Sequence, residues 1–111
     1  MEGYVIRADP PDEECDLAFA PLMTVLDHRW DVLAKTTSKF AMTVGKVNGH
    51  LGYLKHYLKN KDATSATFHF KRLLQLERFV ARCFRGVPKE KEQAKSHFHT
   101  MKLFCLKRLK Q

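Results

Sequence analysis

Six histidines (His28, His50, His56, His69, His97 and His99) and three cysteines (Cys15, Cys83 and Cys105) are the side chains of this sequence best suited to ligate a metal or attack an electrophile. Their spacing serves neither chemistry. His97 and His99 stand two apart in what reads as a helix, where they project about 160° apart and cannot easily share one ion. No Cys-x-x-Cys and no His-Glu-x-x-His run occurs, so no metal is expected and the histidines read as surface or half-buried groups. Cys83 falls beside one apolar helix face and Cys105 on another, which makes both small core residues rather than nucleophiles. Val44-Gly45-Lys46 joins a glycine to a lysine but lacks the rest of a phosphate-binding loop. The carboxylates gather near the start of the chain, where nothing would hold a general acid in place. The expectation is a protein that is not an enzyme and carries no cofactor.

Charge is the stronger signal. The chain has 111 residues and a formal net charge of +8, unevenly spread. Eight acids (Glu2, Asp9, Asp12, Glu13, Glu14, Asp16, Asp27, Asp31) face only Arg7 and Arg29 in residues 1–31, whereas residues 32–111 hold just four acids, Asp62, Glu77, Glu90 and Glu92. So basic a domain favours an anionic partner, whether nucleic acid, an acidic protein surface or a membrane face. A length of 111 residues allows one domain. An odd cysteine count without paired spacing argues against a disulfide framework. The first residues lack the cationic head and apolar stretch of a signal peptide, and no stretch near the start is long enough to span a membrane. These features are those of a reduced, intracellular, soluble protein.

The elements that must position these side chains are helical. Residues 1–15, acidic and carrying Pro10 and Pro11, read as a flexible arm ahead of a basic helical domain over 16–111. Leu22, Leu26, Trp30, Leu33, Thr37, Phe40 and Val44 recur at helical spacing, which predicts one long amphipathic helix with Pro21 in its first turn. Gly45, Gly49 and Gly52 then predict a break or bend, since each costs ~1 kcal/mol against Ala in a helix. A second helix is expected from about Val47 to Asn60, with Val47, Leu51, Leu54 and Leu58 inward. Asp62 suits the N-cap of a third, which presents Ala66, Phe70, Leu73, Val80 and Phe84 on one face. Gly86 is placed to end it, and Pro88 to open a fourth with Ala94, Phe98, Met101 and Cys105 inward. The fold class predicted is an all-α bundle of three to five amphipathic helices.

Two basic groups stand out on that frame. Lys71, Arg78, Arg82 and Arg85 fall within about 60° of one another on a helical wheel, opposite Leu73 and Val80. Phe68 and Phe79 flank the stripe, and arginine beside an aromatic is the composition of a binding hot spot. Lys55, Lys59 and Lys61 form a second cluster at the end of the second helix, where they also complement its dipole. Trp30, the single tryptophan, falls on the inward stripe of the first helix but has Asp27 and Asp31 as neighbours. The bases are spread over three helices without a recognition-helix turn, so sequence-specific DNA reading is not expected.

The run Leu22-Met23-Thr24-Val25-Leu26-Asp27-His28-Arg29, followed by Leu33 and Phe40, resembles the C-terminal helical domain of katanin regulatory subunits. Leu51-Gly52-Tyr53-Leu54-Lys55-His56-Tyr57-Leu58-Lys59-Asn60-Lys61-Asp62 resembles that family's next helix and the acidic start of the one after. Thr100-Met101-Lys102-Leu103-Phe104-Cys105-Leu106-Lys107-Arg108 is similar to its later Leu-Lys-rich helix. The likeness spans roughly residues 20–108, with an insertion around Met42 to Asn48 and a shortened second half. It implies a non-catalytic regulatory subunit that forms a helical heterodimer with the N-terminal domain of the katanin AAA ATPase. It further implies microtubule binding and severing targeted to the spindle, hence a cytoplasmic and cytoskeletal location. The propeller that often precedes this domain in the family has no counterpart here, as in a fragment or a short form. On this reading Lys55, Lys59, Lys71, Arg78, Arg82 and Arg85 would hold the anionic surface, and Trp30, Phe68 and Phe79 the partner subunit. The alternative is a basic helical module that binds nucleic acid or chromatin, with affinity falling steeply in salt.

Overall fold

Acidic residues at the start of a helix interact favourably with its dipole, and the run Asp12-Glu13-Glu14 opens helix α1 (Asp12–Leu33). The computed structural model describes residues 5–6, 12–36 and 38–110. Three further helices follow, α2 (Lys39–Lys59), α3 (Ala63–Cys83) and α4 (Pro88–Arg108). A two-residue strand β1 (Val5–Ile6) pairs antiparallel with β2 (Leu109–Lys110), so that Val5 faces Lys110 and Ile6 faces Leu109. Connections over 34–38, 60–62 and 84–87 are short enough to turn each helix back along its predecessor. The main contacts run α1 to α2, α2 to α3, α3 to α4 and α4 back to α1, a ring that encloses one core. The fold is an all-α bundle with principal extents of 46 × 22 × 19 Å.

The last two helices match the periodicity and its punctuation. Asp62 caps α3, its carboxylate accepting from the Ser65 N–H at 3.1 Å. Gly86, at φ +85°, supplies the left-handed residue after α3, and Pro88 occupies the first position of α4. Ala66, Phe70, Leu73, Val80 and Phe84 are buried, as are Ala94, Phe98, Met101 and Cys105.

The first half differs from expectation. α1 starts at Asp12 rather than near residue 20, so Pro21 lies inside the helix and not in its first turn. Cys15, assigned to the arm, is buried in the core together with Ala18, Phe19, Leu22 and Leu26. Of the remaining arm, residues 5–6 form β1 and 12–14 the start of α1, while 1–4 and 7–11 lie outside the described residues. The break between the first two helices falls at 34–38, not at the glycines. There the Thr36 hydroxyl donates to the Leu33 carbonyl at 2.9 Å, and the Ser38 hydroxyl accepts from the Phe40 N–H at 3.2 Å to cap α2. Thr37, expected on the long first helix, lies outside the described residues. Gly45, Gly49 and Gly52 are all interior to α2. Their combined cost of ~3 kcal/mol is outweighed by burying Val44, Val47, Leu51, Leu54 and Leu58, at about 1.5–3 kcal/mol each.

One cross-helix contact fixes the end of α3. Arg29 of α1 donates its Nε–H to the Cys83 carbonyl and an Nη2–H to the Arg85 carbonyl at 3.3 Å, with its guanidinium 5.8 Å from the Phe84 ring centre. A cation at a helix C-terminus satisfies the carbonyls left without an intrahelical partner.

Two expectations follow. Gly49→Ala adds a Cβ that meets nothing within 4 Å, so urea denaturation should show it stabilised by about 0.5–1 kcal/mol. Arg29→Ala should lose about 1.5–3 kcal/mol in the same assay, because it strips charged donors from two carbonyls.

Candidate docking interface

The predicted basic residues divide into two populations. Lys55 and Lys59, on the last turns of α2, converge on Asp16 of α1 at 3.6 and 2.7 Å. The hydrogen bond from Lys59 holds the Asp16 carboxyl below its ordinary range. That carboxylate partly neutralises both lysines within the chain, which weakens their case as an anion-binding face. Arg78, Arg82 and Arg85 differ: all three are exposed, and none makes an ion pair among the described residues. Arg78 and Arg82 sit 4.9 and 5.4 Å from the centre of the Phe79 ring, close enough for cation–π attraction. Arg85 lies just beyond the helix, past the cap residue Phe84, rather than on α3 itself. Lys71 is exposed earlier on α3.

The three aromatics assigned to a partner also separate. Trp30 is 46% exposed, contrary to its inward position on the predicted stripe, and lies over Gly45, where an added Cβ would be 3.8 Å from Nε1. Leu26 and Leu33 of the same stripe are buried, whereas the larger indole lies along α2 at Gly45 and keeps nearly half its surface in solvent. Phe68 is 54% exposed, with the Arg72 guanidinium 5.6 Å from its ring centre. Phe79 is half-buried beneath its arginines and acts as their support.

Packing adds cations that helical periodicity does not group with α3. Lys39 and Lys46 of α2 and Lys91 of α4 join Arg82 and Arg85 around two adjoining cavities of about 370 and 380 Å³, which share Phe40 and Arg82. Among the described residues no acid lines either cavity. One sequence signal pointed there: α2 begins with Lys39 and has no acid in its first turn, the reverse of dipole preference.

A second polar cluster bridges α2 and α3. His50 Nδ1 lies 2.9 Å from His69 Nδ1, and the His69 ring stacks on Tyr53 and Tyr57 at centroid distances of 5.0 and 5.6 Å. One imidazole must donate and the other accept, so the contact tolerates at most one protonated ring. Burial lowers the pKa of His50 below the ordinary histidine value, reinforced by the charges of His69 and Arg72. Burial also lowers that of His69. Two imidazoles do not complete a metal site, and among the described residues no group of three or more His, Cys, Asp or Glu could hold an ion. Cys15, Cys83 and Cys105 are buried, and burial pushes each thiol up, away from the reactive thiolate. Among the described residues no helix is long and apolar enough to cross a membrane.

Against known proteins, no family model matches the chain, and neither a curated protein nor a solved structure matches it.

The histidine pair sets a pH dependence. Because both folded-state pKa values are lowered, the unfolded chain binds more protons as pH falls below about 6.5, the ordinary histidine value. Stability contributed by the neutral pair is therefore full above that pH and lost as pH falls through the lowered folded-state values. Urea midpoints should drop from pH 7 to pH 5, and the double change His50→Gln, His69→Gln should flatten that part of the profile.

Proposed function

We propose that the chain is a non-catalytic regulatory module of the katanin type, a helical adaptor with two working faces. The cationic face of α3 and the turn after it holds an acidic protein surface, the outer face of microtubules. The exposed aromatics Trp30 and Phe68 pair with the N-terminal helical domain of the AAA ATPase catalytic subunit. The observation that carries this reading is the contrast between the two sets of bases: Lys55 and Lys59 are tied to Asp16, while Arg78, Arg82 and Arg85 point outward without a carboxylate partner among the described residues. The resemblance of residues 22–29, 51–62 and 100–108 to the katanin domain supplies the identity of the partners. Such a subunit would act in the cytoplasm, on the cytoskeleton and at spindle poles.

Co-expression with a katanin catalytic subunit's N-terminal domain should give a one-to-one complex on sizing. Arg78→Glu, Arg82→Glu and Arg85→Glu together should weaken its co-sedimentation with microtubules by roughly tenfold or more at low salt. An unchanged sediment refutes the cationic face. A chain that ignores the catalytic subunit but binds duplex DNA with steep salt dependence is instead a nucleic-acid module.

A further inference from the structure

The unpaired cations are more concentrated than a stripe on one helix allows. Lys39 and Lys46 line the α2 wall of the groove, Arg82 and Arg85 the α3 side, and Lys91 the start of α4. None of the five makes an ion pair among the described residues, although Lys95 and Lys102 nearby on α4 are paired with Glu92 and Glu77. The surface between these charges is apolar: Phe40 is half-buried, and Met42 is 67% exposed.

We infer that this groove is the binding site for an extended acidic peptide, a chain segment with several carboxylates and at least one apolar side chain. Deepening the docking proposal above, the inference rests on its reading of these bases as an anion-binding face, and it adds Lys39, Phe40, Met42, Lys46 and Lys91 to that face. Shape and chemistry select this ligand over other polyanions. Lys39 and Lys46 are about 10 Å apart along α2, the length of about three extended residues. A peptide whose carboxylates recur within four residues therefore meets both, while its apolar side chain covers Met42. A rigid duplex is too broad for cavities of about 370 and 380 Å³. Single-stranded bases need open aromatic faces for stacking, and the chain's own cations already sit over these rings. Lys39 Nζ is 5.9 Å from the Phe40 centroid, and Arg78 and Arg82 hold Phe79. Cations resting on rings are also partly ordered before binding, which lowers the entropy lost when a ligand arrives.

The test is fluorescence anisotropy on the full chain with three labelled probes: a short peptide of repeated glutamates holding one phenylalanine, its Gln-for-Glu counterpart, and a short DNA duplex. The glutamate peptide should bind and the glutamine peptide should not. Lys39→Glu with Lys46→Glu should weaken the glutamate peptide by roughly tenfold or more. Both sites are exposed, and an acid at the start of α2 suits the helix dipole, so the variant should melt no earlier than the parent. Met42→Ala should weaken the phenylalanine-bearing peptide more than an all-glutamate one. The site is overturned by equal binding of the variant and the parent, or by a duplex that outcompetes the peptide. If the peptide fails while the Arg78, Arg82 and Arg85 reversal still releases microtubules, the groove is wrong and the docking reading stands. If both fail, the shared reading of these bases falls.

Discussion

The guanidinium of Arg29 is the contact on which this end of the bundle depends. Helices α1 and α3 are not neighbours in the ring, yet Arg29 reaches from one to the carbonyls of Cys83 and Arg85 at the end of the other. With the C-terminus of α3 served by a cation from within the chain, Arg82 and Arg85 are not needed there and can face outward. The same contact fixes the turn that carries Phe84 and Gly86 and so determines where α4 begins. Lys91 owes its place beside Arg85 to that turn.

Charge is sorted along the bundle as well as along the chain. At one end Asp16, in the first turns of α1, draws in Lys55 and Lys59. At the other, bases from three helices gather with no carboxylate among the described residues that line the groove. Solvent-exposed ion pairs contribute little to stability, so the ordering does little to hold the fold. Its effect is to concentrate positive potential on one concave surface, where field lines converge on an arriving anion.

How much of this was legible depended on whether local signals agreed. Around α3 and α4 the periodicity, the Asp62 cap, Gly86 and Pro88 all mark the same boundaries, and the structure has them there. Across 34–38 the apolar spacing continues by coincidence from Leu33 to Phe40, which hid a turn made by Thr36 and Ser38. The glycines of α2 read as breakers because propensity is local, while the burial of Leu51, Leu54 and Leu58 is not. The arginines of α3 were visible as a stripe since they share one helix or its end. Lys39, Lys46 and Lys91 join them only through tertiary packing, and Asp16 neutralises Lys55 and Lys59 for the same reason.

The glycines carry one more consequence. Gly49 is an exposed position of α2 with nothing within 4 Å of where a Cβ would stand, which leaves the backbone hydrogen bonds there open to water, whereas the Trp30 ring covers Gly45. Amides in such a stretch open at lower free energy than those of a helix covered on all sides. The solvent side of α2 around Gly49 is thus the least covered part of that helix, while Val44, Val47, Leu51, Leu54 and Leu58 hold its other side against the core. Hydrogen exchange would therefore run faster at the amides around Gly49 than at those beside Leu51, Leu54 and Leu58, and local opening there leaves the core in place.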